Sequence, residues 1–574
     1  MSENSHNIMD FLAGWGEVLK EHLHLIFSPG NTEPTLLVFT QFDFWIFFLL
    51  VMIFFSALHH LRLMRSIYLT AVSVFFFYKT SGLYFLLLLV SVTVNYFLGK
   101  AIYRSSSQSR KKLIIGITVL FNLFILGYFK YAYFFLDSFN RMFHTHYEII
   151  NHFARAGNWI FGEGSFVEKI MLPVGVSFFT FQNISYIVDI YREEIKPVSN
   201  FFHYSFFVTF FPQLVMGPIV RARDFIPQIQ NPYMLSREEF SKAVFQIMRG
   251  LIKKTVVADF LVIHFIDKIV FLPENYPGFV SILAMWAYSL HIYADFSGYT
   301  DMAIGLSKLM GFHIKPNFNS PYKAKSVAEF WRRWHISLGS WLKDYLYIPL
   351  GGNRTGTKGS YVAILVIFIF LIFITGWFWL LYVYLVLTVL YLLGLAFIPG
   401  FKRYLHRDLN LLITMVLGGL WHGASQNFVI WGAMNGLALI VYKYWRKISF
   451  YEHSTRWYAT FWKIFLTFNF ITFTRIWFKL PDDELPLRML RQIAHHFDYS
   501  LEAFTGLLST YKTVFIIMLI GFTIHWMPDR IKAQWEKWFV KIPLPLQAVV
   551  ISLIILLIYQ TTGMESAPFV YLQF

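Results

Sequence analysis

A dozen apolar segments divide this chain, and they limit what it can fold into. A helix that crosses a bilayer needs about 20 mostly apolar residues. Only 14% of the 574 residues are charged, whereas about a quarter are charged in soluble globular proteins. We therefore predict an all-α polytopic membrane protein with roughly 11–13 transmembrane helices, together with re-entrant and interfacial helices around a central tunnel. The candidate spans lie near residues 42–58, 67–79, 82–98, 113–131, 172–190, 253–272, 281–296, 361–378, 380–397, 459–477, 512–528 and 543–562.

The charges indicate one transmembrane unit with its basic loops on the cytosolic side. No repeat or long linker divides the chain, so we predict a single domain over residues 42–574 after an N-terminal extension at 1–41. The extension is acidic, is expected outside, and lacks the pattern of a cleavable signal peptide. The net charge of +16 follows the positive-inside rule and does not indicate nucleic-acid binding. The chain has no cysteine, which excludes disulfides and thiolate nucleophiles.

The loop charges also predict a helical hairpin late in the chain. The segments 409–421 and 427–442 start and end beside basic loops, so together they are expected to form a hairpin or a re-entrant element. Irregular backbone at membrane depth survives only where protein or water covers it. His422 lies at the glycine-rich tip of this pair and is therefore expected to line a cavity.

Two histidines lie in apolar, tryptophan-rich segments, and His335 is the first of them. An ionisable side chain in such a segment is a functional-site candidate, because a bilayer solvates no charge. Residues 328–345 are predicted to form one amphipathic helix, with Trp331, Trp334 and His335 on its apolar stripe. Asp344 falls on the opposite side of that helix and is a poor candidate to orient His335. The alternative is an interfacial basic helix in which the histidine is simply packed.

His422 is the second histidine and lies within Gly418–Ala424. Glycines on both sides allow close backbone approach or an interrupted helix, and Trp421 is expected to form the wall of a narrow channel. The alternative for a lone histidine here is a hydrogen bond to a backbone carbonyl. A neutral imidazole takes a proton near physiological pH, so the two histidines together favour proton-transfer chemistry in a membrane-buried cavity.

A third polar segment lies at residues 291–301. It places Asp295, Ser297 and Tyr299 in apolar surroundings, where they are expected to act as buried hydrogen-bond partners for the cavity. Asp295 and Asp301 are too far around a helix to share a face, and no ligand cluster accompanies them, so no metal site is predicted. The sequence has no Walker loop, dinucleotide fingerprint or nucleophile elbow, which argues against nucleotide hydrolysis and serine-hydrolase chemistry.

Six short motifs carry a resemblance to a known family. They are Leu172–Gln182, Gln213–Val220, Tyr293–Asp301, Phe330–Leu338, Tyr347–Asn353 and Gly419–Gly423. Together they resemble the membrane-bound O-acyltransferases. The resemblance is closest to the bacterial branch that contains the membrane subunits of alginate O-acetylation and of teichoic acid D-alanylation. It extends from about Phe39 to Phe574.

The resemblance implies roles for particular residues. His422 would be the catalytic histidine and the base, and His335 would polarise a thioester or hold the acceptor. Aromatic and polar residues of these motifs are expected to line the substrate tunnel. They are Trp331, Trp334, Trp421, Asp295, Ser297 and Tyr299.

The resemblance also implies an activity and a location. The chain would be an O-acetyltransferase of the bacterial cytoplasmic (inner) membrane that moves acetyl from a cytosolic donor for O-acetylation of an exopolysaccharide or cell-wall glycan. No bound cofactor is expected, and the donor would be acetyl-CoA or another acyl thioester. The implied partner is an exported acetyltransferase of SGNH-hydrolase type or another polymer-modification subunit, in addition to membrane lipids. D-alanyl transfer to a cell-wall polymer and a polysaccharide transporter or flippase are the alternatives.

Overall fold

The structure, a computed structural model, describes residues 17–18, 20–27, 37–354, 356–480, 482–562 and 567–570. Every regular element in these ranges is a helix, which confirms the all-α class. Residues 20–27 are helical, whereas most of the predicted N-terminal extension at 1–41 lies outside the described residues.

The α-helices are numbered here in chain order. They are α1 Phe42–Leu58, α2 Arg62–Ser81, α3 Phe85–Arg104, α4 Gln108–Leu126, α5 Ala132–Phe143, α6 His152–Phe161, α7 Val176–Tyr191, α8 Phe201–Thr209, α9 Phe211–Leu214, α10 Ala222–Ile229, α11 Arg237–Ile252, α12 Asp267–Val270, α13 Gly278–Leu309, α14 Val327–Arg333, α15 Ile336–Leu342, α16 Lys358–Thr375, α17 Trp379–Phe397, α18 Phe401–His422, α19 Gln426–Ile448, α20 Trp457–Lys479, α21 Leu485–His495, α22 Leu501–Thr510, α23 Lys512–Trp526, α24 Asp529–Lys541 and α25 Leu544–Thr562. Short 3-10 turns lie at Gly82–Tyr84, Pro273–Asn275 and Pro321–Lys323, and π-helical turns at Gly127–Tyr131, Lys253–Asp259, Val262–Ile266 and Lys343–Tyr347.

Five helical stretches in the described ranges are long and apolar enough to cross a membrane, and the bent pair α22 and α23 would make a sixth. The predicted 11–13 spans include shorter apolar helices such as α1, which has 17 residues, and they count α2 and α3 separately, whereas here these two helices form one stretch. The stretches are α2 with α3, α4 with α5, α13, α16 and α17. The molecule is therefore a multi-pass membrane protein.

Helices α16 and α17 form an apolar hairpin at the edge of the molecule. Only 11% of the most apolar part of α16, and 6% of that of α17, is buried within the protein. Their exposed side chains are mainly leucine, isoleucine, valine and aromatic residues, a surface that suits hydrocarbon rather than water.

Helix α13 is the centre of the fold. It has 32 residues, and its packing against α11 depends on a pair of glycines. A Cβ atom on Gly250 would lie 2.5 Å from the carbonyl oxygen of Gly298, so only glycine allows this approach. The close contact positions the polar residues of the 291–301 segment inside the protein.

Helices α18 and α19 form the predicted hairpin, although both are longer than the segments 409–421 and 427–442. The two helices touch through Gly419 and Gly432, where a Cβ atom on Gly419 would lie 2.2 Å from the carbonyl oxygen of Phe428. His422 is the last residue of α18, so the same contact fixes the position of its backbone.

Replacing Gly419 with leucine is expected to prevent stable folding. The new side chain would meet backbone atoms of α19 that cannot move aside, and overpacking of this kind costs about 1–3 kcal/mol or more. The measurement is the yield of monodisperse protein in detergent together with its thermal unfolding midpoint. Gly116→Leu in α4 is the matched control, since no described atom lies within 4 Å of a Cβ placed there. Equal yields and midpoints for the two variants would contradict this packing.

Candidate active site

His422 lies in an aromatic pocket at the end of α18. Its side chain is buried, with 3% of the residue exposed. The ring centroid lies 5.2 Å from that of Trp431 and 5.3 Å from that of Phe478. Aromatic walls on two other helices therefore hold the imidazole away from bulk solvent.

The structure brings the second histidine to the same place. The ring centroids of His335 and His422 are 6.5 Å apart, and Trp421 contacts both rings. Trp421 is itself held by stacking on Phe181, which stacks on Trp341 at a centroid distance of 3.7 Å. Two residues separated by 87 positions in the sequence thus form one site, with an aromatic stack as its support.

His335 does not lie within a continuous helix, so the helix predicted over 328–345 is wrong. Helix α14 ends at Arg333 and α15 begins at Ile336, and His335 between them has φ 44° and ψ 54° in the left-handed region. The cause is the segment around Asn317, whose backbone carbonyl accepts the N–H of Ile336 at 2.9 Å. The N–H of Asn319 binds the carbonyl of Arg333 at 2.9 Å. These contacts replace hydrogen bonds that would have continued the helix.

Asn317 also fixes the proton on His335. Its Oδ1 accepts the backbone N–H of Ser337 at 3.0 Å, which identifies that atom as oxygen. The same oxygen lies 3.3 Å from Nδ1 of His335. Nδ1 must therefore carry the hydrogen, and a neutral His335 has its lone pair on Nε2.

Lys130 supports His422 from the other side. Its Nζ donates to the carbonyl oxygens of Trp421 at 2.7 Å and His422 at 3.0 Å, while the Tyr131 hydroxyl donates to that of Leu420 at 2.7 Å. The last carbonyls of a helix have no partner within it, and a cation is favourable at that end. Sequence reasoning missed Lys130. The signal was present as a lysine inside the apolar run 113–131.

Two cavities meet at His422. The first, called the narrow cavity, has a volume of about 80 Å³ and is lined by Lys130, residues 172–178, Val215, Trp421 and His422. The second, called the wide cavity, has a volume of about 430 Å³ and is lined by Trp331, Arg332, His335, Lys343 and His422, among other residues. Trp334 borders a small gap of about 10 Å³ that also reaches His422. His422 therefore borders both the narrow and the wide cavity.

The polar residues of the 291–301 segment lie elsewhere. Asp295 accepts from Lys254 Nζ at 2.8 Å and from the backbone N–H of Val570 at 3.0 Å. Tyr299 is packed between the rings of Phe39 and Phe569. Ser297 lines a different cavity. None of the three lines the narrow or the wide cavity, and no group of three or more possible metal ligands occurs in the part of the chain that the structure describes.

Replacing Lys130 with methionine is expected to lower the turnover of the enzyme by about 10- to 100-fold. Leaving buried carbonyls without their donor costs about 1–3 kcal/mol each. We expect only about 1.4–2.8 kcal/mol of this to appear as a lower rate, at 1.4 kcal/mol per tenfold, because the rest lowers the stability of the fold. The measurement is the turnover number of purified protein, with the Michaelis constant determined in parallel. Lys130→Arg keeps a cationic donor and is expected to recover part of the turnover, which a purely packing role for Lys130 would not predict. Wild-type turnover in Lys130→Met would contradict the positioning role.

Comparison with known proteins identifies the family. A model of the membrane-bound O-acyltransferase family matches residues 35–403, a region that contains His335 and ends before His422. The chain is 37% identical over 378 residues to the "Probable alginate O-acetylase AlgI" of Pseudomonas aeruginosa, covering 65% of this chain and 60% of that protein. The protein of the same description from Azotobacter vinelandii is 36% identical over 403 residues, covering 69% of this chain and 67% of that protein.

A third relative is named for a different polymer. The "Peptidoglycan O-acetyltransferase" of Helicobacter pylori is 32% identical over 468 residues, covering 75% of this chain and 73% of that protein. The alignment with the Pseudomonas aeruginosa protein spans three-fifths of that relative's length. The family match covers well over half of the chain, and the chain belongs to the membrane-bound O-acyltransferase family.

Proposed function

We propose that this protein is an O-acetyltransferase that moves an acetyl group from a cytosolic thioester for the O-acetylation of an exopolysaccharide or cell-wall glycan. The observation that carries the proposal is His422, which lines both the narrow and the wide cavity and lies beside His335. The names of the relatives give acetyl as the group and alginate or peptidoglycan as the polymer, which supports acetyl and a glycan here. The bacterial inner membrane is the location we propose, because transfer from a cytosolic donor requires a protein in that membrane.

The wide cavity suits the acyl donor. Its lining includes the cations Arg332 and Lys343, and no carboxylate among the described residues lines it. Phosphate groups of a donor such as acetyl-CoA would be attracted to these cations. Both residues belong to the basic stretch 323–354, which the positive-inside rule assigns to the cytosol. The thioester end of the donor would then reach His422.

The acceptor hydroxyl would approach His422 through the narrow cavity. In the proposed reaction, His422 takes the hydroxyl proton while the oxygen attacks the thioester carbonyl carbon. Collapse of the tetrahedral intermediate breaks the carbon–sulfur bond, and the proton passes from His422 to the leaving sulfur. The products are the acetyl ester and a free thiol. With no cysteine on the chain, the acyl group passes either directly or through a transient acyl-histidine.

His335 has a different role in this proposal. With its hydrogen on Nδ1 directed to Asn317, its Nε2 accepts a hydrogen bond and does not donate one. It therefore cannot donate a hydrogen bond to the thioester carbonyl, and in this proposal it accepts a hydrogen bond from an N–H or O–H group of the acyl donor, whose cavity it lines. Stabilisation of the oxyanion would come from another donor. Lys130 lines the narrow cavity, and it has one N–H group in addition to the two that bind the carbonyls of Trp421 and His422.

Transfer across a vesicle membrane tests the proposal. Vesicles containing the purified protein, with the cytosolic face outward, are given acetyl-CoA labelled in its acetyl group and a hydroxyl acceptor enclosed inside. We expect label to appear in ester linkage on the enclosed acceptor, and protein-free vesicles are the control. Label that does not exceed the control would contradict acetyl transfer by this chain. An exported SGNH-type acetyltransferase, the proposed partner, would extend the transfer to the polymer when added inside.

Two alternatives predict different outcomes in the same vesicles. D-alanyl transfer predicts esterification from a D-alanyl thioester and none from acetyl-CoA. A polysaccharide transporter or flippase predicts movement of the glycan without any ester formation.

A further inference from the structure

A third cavity lies on the other side of Asn317 from the active site. It has a volume of about 460 Å³ and lies between α11, α13, the segment 316–320 and the last three helices α23, α24 and α25. Its lining does not include His335 or His422, so it is separate from the narrow and wide cavities. We call it the lateral cavity.

One end of the lateral cavity is strongly cationic. Arg249, Lys253 and Lys532 line it, with Asp301 as the one carboxylate among its lining residues. Asp301 is shared by Arg249 at 2.6 Å and Lys253 at 2.7 Å. Lys532 donates to neutral oxygens, the Ser320 hydroxyl at 3.1 Å and the His525 carbonyl at 3.0 Å, and its nearest carboxylate is exposed Asp529 at 3.9 Å. The lining therefore carries two positive charges beyond what its own carboxylate neutralises.

Three buried polar groups on the same cavity have no hydrogen-bond partner among the described residues. They are Nδ1 of His525, Nδ2 of Asn317 and the hydroxyl of Thr300, whose residues are 2%, 1% and 3% exposed. His525 Nε2 accepts the backbone N–H of Tyr322 at 3.1 Å, so the hydrogen is on Nδ1. Asn317 uses its oxygen for Ser337, so the remaining group is the NH₂ donor. Buried donors are nearly always paired in proteins, and three on one cavity call for a ligand rich in acceptors.

The rest of the lateral cavity is apolar. Its lining includes hydrophobic side chains from α13, α23, α24 and α25, namely Leu290, Ile304, Ile524, Phe539, Val550 and Ile554. An inorganic anion would leave these surfaces uncovered, whereas a hydrocarbon chain would cover them. The cavity thus combines an anion-binding end with a hydrocarbon-binding end.

We propose that the lateral cavity binds an anionic phospholipid. The phosphate lies against Lys532, Lys253 and the donors of His525 and Asn317, and an acyl chain lies along the apolar residues of α24 and α25. The proposal does not depend on acyl transfer by this protein. It has one consequence for the active site, because the lipid would hold the side chain of Asn317, which also binds Nδ1 of His335.

Lipid binding to the full-length purified protein tests the proposal directly. In native mass spectrometry from detergent, we expect phosphatidylglycerol to be retained at least about tenfold more tightly than phosphatidylcholine with the same acyl chains. Lys532→Gln removes one charge while keeping a hydrogen-bonding side chain, and is expected to weaken phosphatidylglycerol binding about tenfold. Lys537→Gln is the matched control, because Lys537 is exposed on the same helix and does not line the cavity.

A second variant keeps the test decisive if Lys532→Gln does not fold. Val550→Trp fills the apolar end and is expected to weaken phosphatidylglycerol binding at least about tenfold without removing a charge. Glycerol 3-phosphate, which carries the phosphate without acyl chains, is expected not to compete at the same concentration. Equal binding of the two phospholipids, unchanged binding in the folded variants, or competition by glycerol 3-phosphate at that concentration would each overturn the proposal.

Discussion

Replacing His422 with alanine is expected to abolish detectable acyl transfer while leaving the protein folded. Removal of a general base costs about 10²- to 10⁴-fold in rate. A loss in this range is expected here and would bring ester formation below detection. The measurement is the rate of ester formation in the vesicle assay, with acetyl content of the polymer in cells as a second readout.

The control for this variant is His422→Gln. Glutamine fills more of the pocket and keeps a polar side chain, but it cannot take a proton at neutral pH. It is therefore expected to fold as well as the wild type and to be as inactive as His422→Ala. Normal polymer acetylation in either variant, with the variant present in the membrane at the wild-type level, would show that His422 takes no part in the reaction.

Substitutions of His335 are expected to change turnover and stability independently of each other. The residue has φ 44°, a conformation that glycine adopts without strain and asparagine more readily than most residues. His335→Ala is expected to lose about 10²-fold in turnover, the scale observed when a single positioned polar group is removed at an active site. His335→Asn is expected to keep part of that turnover, since it offers a polar acceptor in a tolerated conformation.

His335→Gly is the informative companion. It relieves the backbone strain and is expected to be more stable than His335→Ala by about 1 kcal/mol, with turnover equally low. Thermal unfolding midpoints and turnover numbers measured on the same preparations check this. If His335→Gly were as active as the wild type, His335 would serve the backbone turn alone.

The sequence predicted the class of fold well, and it singled out two histidines that the structure brings together. Apolar segments and sparse charge determine a helical membrane protein, and imidazoles within such segments stand out because burying them is costly. The hairpin of α18 and α19 followed from the charges of its flanking loops together with the glycines around His422. These are local signals, so one sequence is enough to detect them.

The features that the sequence did not predict depend on contacts between distant parts of the chain. The spacing of residues 328–345 fits a single helix, and only the insertion of Asn317 and Asn319 beside it breaks the helix at His335. Asp295 and Tyr299 were expected in the tunnel, but Lys254 and the residues at 567–570 hold them away from His422. Lys130 was visible as a cation in an apolar run, yet its partners lie about 290 residues further along the chain.

The meeting of two cavities at His422 has an electrical consequence. Because both cavities border His422, we expect a membrane voltage to fall mainly across the layer of protein around that residue. Moving one elementary charge through the full voltage costs or releases about 2.3 kcal/mol per 100 mV. An acetyl group carries no charge and passes without electrical work, whereas a D-alanyl group with its ammonium would be driven or opposed by the voltage. The dependence of ester formation on membrane voltage is therefore a direct measure of which group this protein transfers.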